Sequence, residues 1–231
     1  MVHMSSKKGA FETQSCCGTD HDCVVFNLHS GKIKGNRNAL TVGATALWLQ
    51  CPEITRVVGH LERGGGIAYY KALLRGTPSL ALAYTMSHQT YYHFVLEKLK
   101  ASREQQEQFK AVMDGLKYGN GGVGHPLGVK CLHAHVAMQL AGVSNPLGQR
   151  ALADVVRVMA KLKERSVATL AEECFAYPAV PEDDTGVLVE ATLPPELDVV
   201  SKMEPAEFCQ ICTAINFAYT GSQRHTKRRR T

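Results

Sequence analysis

Residues 128–142 read Gly128-Val-Lys-Cys131-Leu-His133-Ala-His135-Val-Ala-Met-Gln-Leu-Ala-Gly142, and the way this run folds decides where the chain can do chemistry. It holds few β-branched residues, apolar Leu132, Val136, Met138 and Leu140, and a glycine where a helix would stop, so the sequence predicts a helix over 128–141. On a helix Cys131 and His135 share one face, and His133 points to the other side. All three could meet one ion only if the start of the helix were unwound.

Thiolate and imidazole together suit zinc, with iron as an alternative, and two ligands one helical turn apart are a common anchor for it. The expected metal ligands are Cys51, Cys131 and His135, with Cys23 available to close a fourth position. His133 and His125 are the expected proton carriers, since imidazole titrates near neutral pH. Glu53 and Glu62 are the carboxylates nearest the motif by sequence, and nothing in the pattern singles out either as a base.

Working outward, Leu47-Trp-Leu-Gln-Cys51-Pro52, Leu61-Glu62 with Gly65-Gly-Ile67, Val129 to His135, Leu140-Ala-Gly142 and Asn145-Pro-Leu-Gly148 follow one another in a recurring order. In this order the chain resembles the domain-of-unknown-function 501 family, uncharacterised and mainly bacterial, over roughly residues 23–165. The resemblance implies a shared site around Cys51, Cys131, His133 and His135. It implies nothing about substrate.

The remaining chain frames that site. Residues 1–20 are polar and small and read as a disordered leader, which contains Cys16-Cys17. Cys23–His29 and Ala39–Gln50 have β character, and Pro52 closes the second of these by removing a ladder donor, which puts Cys51 at a strand end. Trp48 is expected in the core, with the wall of a pocket as the alternative. Helices are predicted from Pro52 to Arg63, ended by Gly64-Gly65-Gly66, then over 67–74, 79–100, 103–116 and 147–165. Residues 118–126 carry glycines at 119, 121, 122 and 124, a pattern for close backbone approach or a moving lid. Further helices are expected over 167–175 and 205–219, the latter with Cys209 and Cys212 at a two-residue spacing, and a strand over 187–193. The fold class is α+β, predominantly helical, with a small sheet from segments near 23, 45 and 190. One globular domain spans 21–220, and 221–231 form a basic disordered tail.

Composition bounds the function. The 231 residues are 45% hydrophobic and 20% charged, which suits a globular protein with a real core. No apolar run is long enough to cross a bilayer, no secretory signal is evident, and eight cysteines without secretory features read as reduced thiols. The expected setting is intracellular, cytoplasmic first, with nucleus or organelle as alternatives, and no membrane partner. The net charge of +5 matches the five charges of Arg224, Lys227, Arg228, Arg229 and Arg230, so weak nucleic-acid contact is assigned to that tail and not to the body. A metal-dependent hydrolase acting on a small-molecule or otherwise unknown substrate is the leading expectation. One alternative is a non-enzymatic module with a structural metal site, RNA- or ribonucleoprotein-associated through its tail. Another is a thiol-dependent enzyme using Cys131.

Overall fold

The computed structural model describes residues 12–14, 23–32, 40–115, 117–164 and 177. The expected elements over 167–175, 187–193 and 205–219, the basic tail, and the Cys16-Cys17 and Cys209/Cys212 pairs lie outside the described residues. Six helices and two small antiparallel sheets make up the described chain, the predominantly helical α+β fold that the sequence implies.

The three-stranded sheet runs in the order β1 (Glu12–Gln14), β2 (Val24–Phe26), β5 (Leu47–Leu49), with Val24 opposite Leu49 and Phe26 opposite Leu47. The segments near 23 and 45 therefore pair as expected, while the third strand comes from Glu12–Gln14, within the stretch read as a leader. The remaining strands, β3 (His29–Lys32) and β4 (Leu40–Val42), form a separate pair. Strand alternation places Leu47 in the core and turns Trp48 outward, 38% exposed, with its indole N–H donating to the Asn27 carbonyl at 2.8 Å. Trp48 is thus a strand-face residue and not the core residue its size suggested.

Helix starts follow local chemistry. Prolines open α1 (Pro52–Arg63), α3 (Pro78–Lys98) and α6 (Pro146–Glu164), where the missing N–H costs nothing. The Ser102 hydroxyl accepts from the Gln105 amide at the start of α4 (Arg103–Asp114). Between α1 and α2 (Gly66–Gly76) the chain turns through Gly65 at φ +95°, a conformation that favours glycine. The central helix, α5 (Leu132–Leu140), lies against β5, α1 and α6, and all its residues but His133 and Gln139 are buried. Two buried groups fix its surroundings. Gly148 brings α6 against the backbone of α5, since a Cβ there would strike the His135 carbonyl oxygen. Asn120 accepts from the amides of Ala46 and Leu47 at 3.0 and 3.1 Å and donates to the carbonyls of Leu47 and Ala134 at 2.7 and 3.0 Å. Its amide ties β5 to α5 through a loop whose Tyr118 and Val123 bridge back to back.

Candidate functional site

The helix carrying the motif begins at Leu132, not at Gly128, and Cys131 stands before it in extended backbone, φ −153° and ψ 120°. Its position has a cause on each side. Upstream, α3 holds the approach, where Tyr84 donates to the Gly128 carbonyl at 2.8 Å and His88 Nε2 lies 2.7 Å from the Pro126 carbonyl. Downstream, the first amide of α5 has no partner within its own helix, and Glu62 of α1 supplies one. Its Oε1 accepts from the Leu132 N–H at 2.6 Å.

Cys131 therefore does not follow the helical phase, and the pairing expected from it fails. Instead its Sγ lies 3.6 Å from Nδ1 of His133, and the same Nδ1 lies 3.1 Å from Glu62 Oε1. Nε2 of His133 lies 3.1 Å from the backbone carbonyl of Thr55, on α1 two turns before Glu62. A carbonyl can only accept, so Nε2 carries a hydrogen and Nδ1 faces the sulfur and the carboxylate. Among the described residues, Glu62, Cys131 and His133 are the one group of three or more potential metal-holding side chains, with donor atoms all within 4.8 Å of one another. The three are half-buried, with His133 and Glu62 side chains 26% and 25% exposed, so solvent reaches the centre.

Electrostatics agree with this convergence. Hydrogen bonds to Cys131 and Glu62 hold the His133 imidazolium against burial and raise its pKa to about 10. Burial pushes the Glu62 carboxyl up, but hydrogen bonds from His133 and the Leu132 amide outweigh it and leave Glu62 below its ordinary value. A sulfur, a ring nitrogen and a carboxylate oxygen aimed at one point need a positive charge among them. Here a proton serves.

His135 has a different neighbourhood. It is buried, its Nδ1 3.2 Å from Asn145 Nδ2 and its Nε2 3.4 Å from the Tyr84 hydroxyl. Asn145 can only donate from Nδ2, which leaves Nε2 to donate to Tyr84 and keeps the ring neutral. Burial, with a smaller contribution from His88, lowers its pKa to about 4. His135 is a satisfied core histidine on the opposite face of α5 from His133. Cys51 is buried as the N-cap of α1, at a strand end as expected, but does not join the close group. Cys23 is buried and disulfide-bonded, so it offers no thiolate, against the expectation of reduced thiols. His125 is exposed and accepts from the Leu127 amide through its own Nδ1, apart from the centre. Of the residues expected at the site, Cys131 and His133 meet, and Glu62 replaces Cys51 and His135. The sequence signal for Glu62 was its place beside Leu61 in the recurring order of motifs.

A family description, "Protein of unknown function (DUF501)", matches residues 13–153 and so covers every residue of the centre. No curated protein and no solved structure is significantly similar to the chain.

Proposed function

The chain belongs to the DUF501 family, whose description assigns no activity, and from the chemistry of its own residues we propose that Glu62, Cys131 and His133 form a zinc site in a hydrolytic enzyme. The observation that carries this reading is the spacing of the donors. Zinc bond lengths of about 2.0–2.3 Å at tetrahedral angles require ligand atoms about 3.3–3.6 Å apart; the sulfur–nitrogen separation of 3.6 Å meets this, and the nitrogen–oxygen separation of 3.1 Å has only to open by a few tenths of an ångström on exchanging the proton for the ion. The Thr55 carbonyl supports it, since a ligating imidazole is ordinarily oriented by an acceptor on its other nitrogen. Three protein ligands leave one position for water, the pattern of catalytic and not of closed structural zinc. The metal's contribution is to lower the pKa of that water toward neutrality. The chain's contribution is to present two anionic donors and one oriented imidazole at a half-open surface.

The test is zinc content by elemental mass spectrometry, with Cys131→Ser and His133→Ala set against Cys51→Ser and His135→Gln. About one zinc per chain, lost only in the first pair, is the expected result for a single three-ligand site. Zinc absent from the wild type overturns the reading. The Cys131–His133 contact would then favour thiol chemistry, recognised by rapid alkylation of Cys131 without added chelator.

A further inference from the structure

The two α1 residues that touch His133, Thr55 and Glu62, are each followed by an arginine, Arg56 and Arg63. At 3.6 residues per turn, Arg56 and Arg63 form a second row roughly 100° around the helix from the first, with Gly59 between them. Both arginines are exposed, and so is Lys130, next to Cys131. Glu62 is turned inward to His133 and Leu132.

Gly59 is a costly residue in mid-helix, and packing does not demand it. A Cβ there would meet a single atom within 4 Å, Nη1 of Arg63 at 3.8 Å. The Arg63 guanidinium thus lies back over the glycine. Its Nη2 donates to Nδ1 of His60 at 2.9 Å, which fixes the fork in that direction. Burial first, then the charges of Arg63 and Arg56, lower the His60 pKa, so both guanidinium fields reach this face.

We propose that the Glu62–Cys131–His133 centre takes a phosphate-bearing substrate, whose anionic group is received by Arg56 and Arg63 on the exposed row of α1 beside the centre. A guanidinium offers a planar fork that matches phosphate oxygens, and two of them suit a dianion better than a single carboxylate. The absence of a side chain on Gly59 lets the Arg63 guanidinium lie close over the helix, where it can receive the anion. The proposal deepens the hydrolase reading by naming its substrate class, but the anion site itself stands without metal.

The experiment uses metal-free, full-length protein and reads alkylation at the Cys131 peptide by mass spectrometry, with iodoacetate as an anionic probe and iodoacetamide as a neutral one. In the wild type, inorganic phosphate should slow iodoacetate and leave iodoacetamide little changed, whereas acetate should do neither. Arg56→Gln with Arg63→Gln should lower the iodoacetate to iodoacetamide rate ratio about fivefold, the order of effect that removing two nearby positive charges has in water, and abolish the phosphate effect. Arg56→Lys with Arg63→Lys retains the charge and should recover most of the ratio, which separates electrostatics from misfolding. An unchanged ratio in the glutamine variant, with no protection by phosphate, overturns the proposal. Zinc content measured on the same samples keeps the two readings apart. Zinc bound with an arginine-independent ratio sinks the anion site alone, and an arginine-dependent ratio in a chain that binds no zinc sinks the metal site alone.

Discussion

A proton and a divalent cation compete for one place at Nδ1 of His133. The proton is held there to a pKa of about 10 by Cys131 and Glu62, so a metal entering near neutral pH must displace it. Zinc binding should therefore release at least one proton, and its affinity should climb with pH. Calorimetry in two buffers of different ionisation enthalpy measures that release, and a buffer-independent heat would contradict it. Gly59 invites a second test at this scale. With only Arg63 Nη1 near its missing Cβ, Gly59→Ala should stabilise the fold by about 0.5–1 kcal/mol in denaturant titrations, through helix propensity and a less disordered unfolded chain. It should also weaken protection of Cys131 by phosphate. A glycine whose replacement improves stability at the expense of binding is one kept for access; an alanine variant that is less stable would mean that the space is needed by the helix packing instead.

Helix α5 owes its first turn to α1, and this explains what could be read from the sequence. The starts of α1, α3, α4 and α6 were legible because Pro52, Pro78, Ser102 and Pro146 act on their own backbone. The start of α5 was not, because the group that completes it, Glu62, lies 70 residues away in the chain. Helical periodicity extended to Gly128 put Cys131 in phase with His135, whereas capping by a neighbour leaves Cys131 extended and turned toward His133. The residue types of the site were thus legible, and its third member depended on how two helices meet. The meeting itself has two sensitive points. Asn120→Ala removes four buried hydrogen bonds between the 118–123 turn, β5 and α5, and should cost about 3 kcal/mol or more. Asn120→Asp should not rescue it, since a carboxylate cannot donate to Leu47 and Ala134. Gly148→Ala forces a methyl group onto the His135 carbonyl and should cost about 1–3 kcal/mol. Chemical denaturation checks all three, and a Gly148→Ala protein as stable as the wild type would show that α6 can move off α5 freely.

For the molecule as a whole, His133 and His135, on opposite faces of α5, carry opposite shifts that together give the metal-free protein a stability maximum. His135 is neutral in the folded core, with a pKa of about 4 against 6.5 in the unfolded chain. Its contribution is fully present above about pH 6.5 and is lost as the pH falls toward 4, because the unfolded state takes up the proton first. Those two values correspond to about 3 kcal/mol. His88 is lowered mainly by burial, against its hydrogen bond to Pro126, and acts in the same direction. His133 acts oppositely, since its pKa is raised to about 10; its contribution is present below about pH 6.5 and fades as the pH rises toward 10. Unfolding free energy measured in urea at a series of pH values should therefore peak near neutrality and fall on both sides. His135→Gln should be less stable at neutral pH, where it breaks the Asn145–His135–Tyr84 chain, yet lose much of the decline on the acid side. Added zinc should flatten the alkaline limb alone, because it replaces the proton on His133 and leaves His135 untouched. An acid limb that survives unchanged in His135→Gln would place the titrating group elsewhere, and a zinc effect confined to the acid limb would place the metal on the wrong side of the helix for the proposed site.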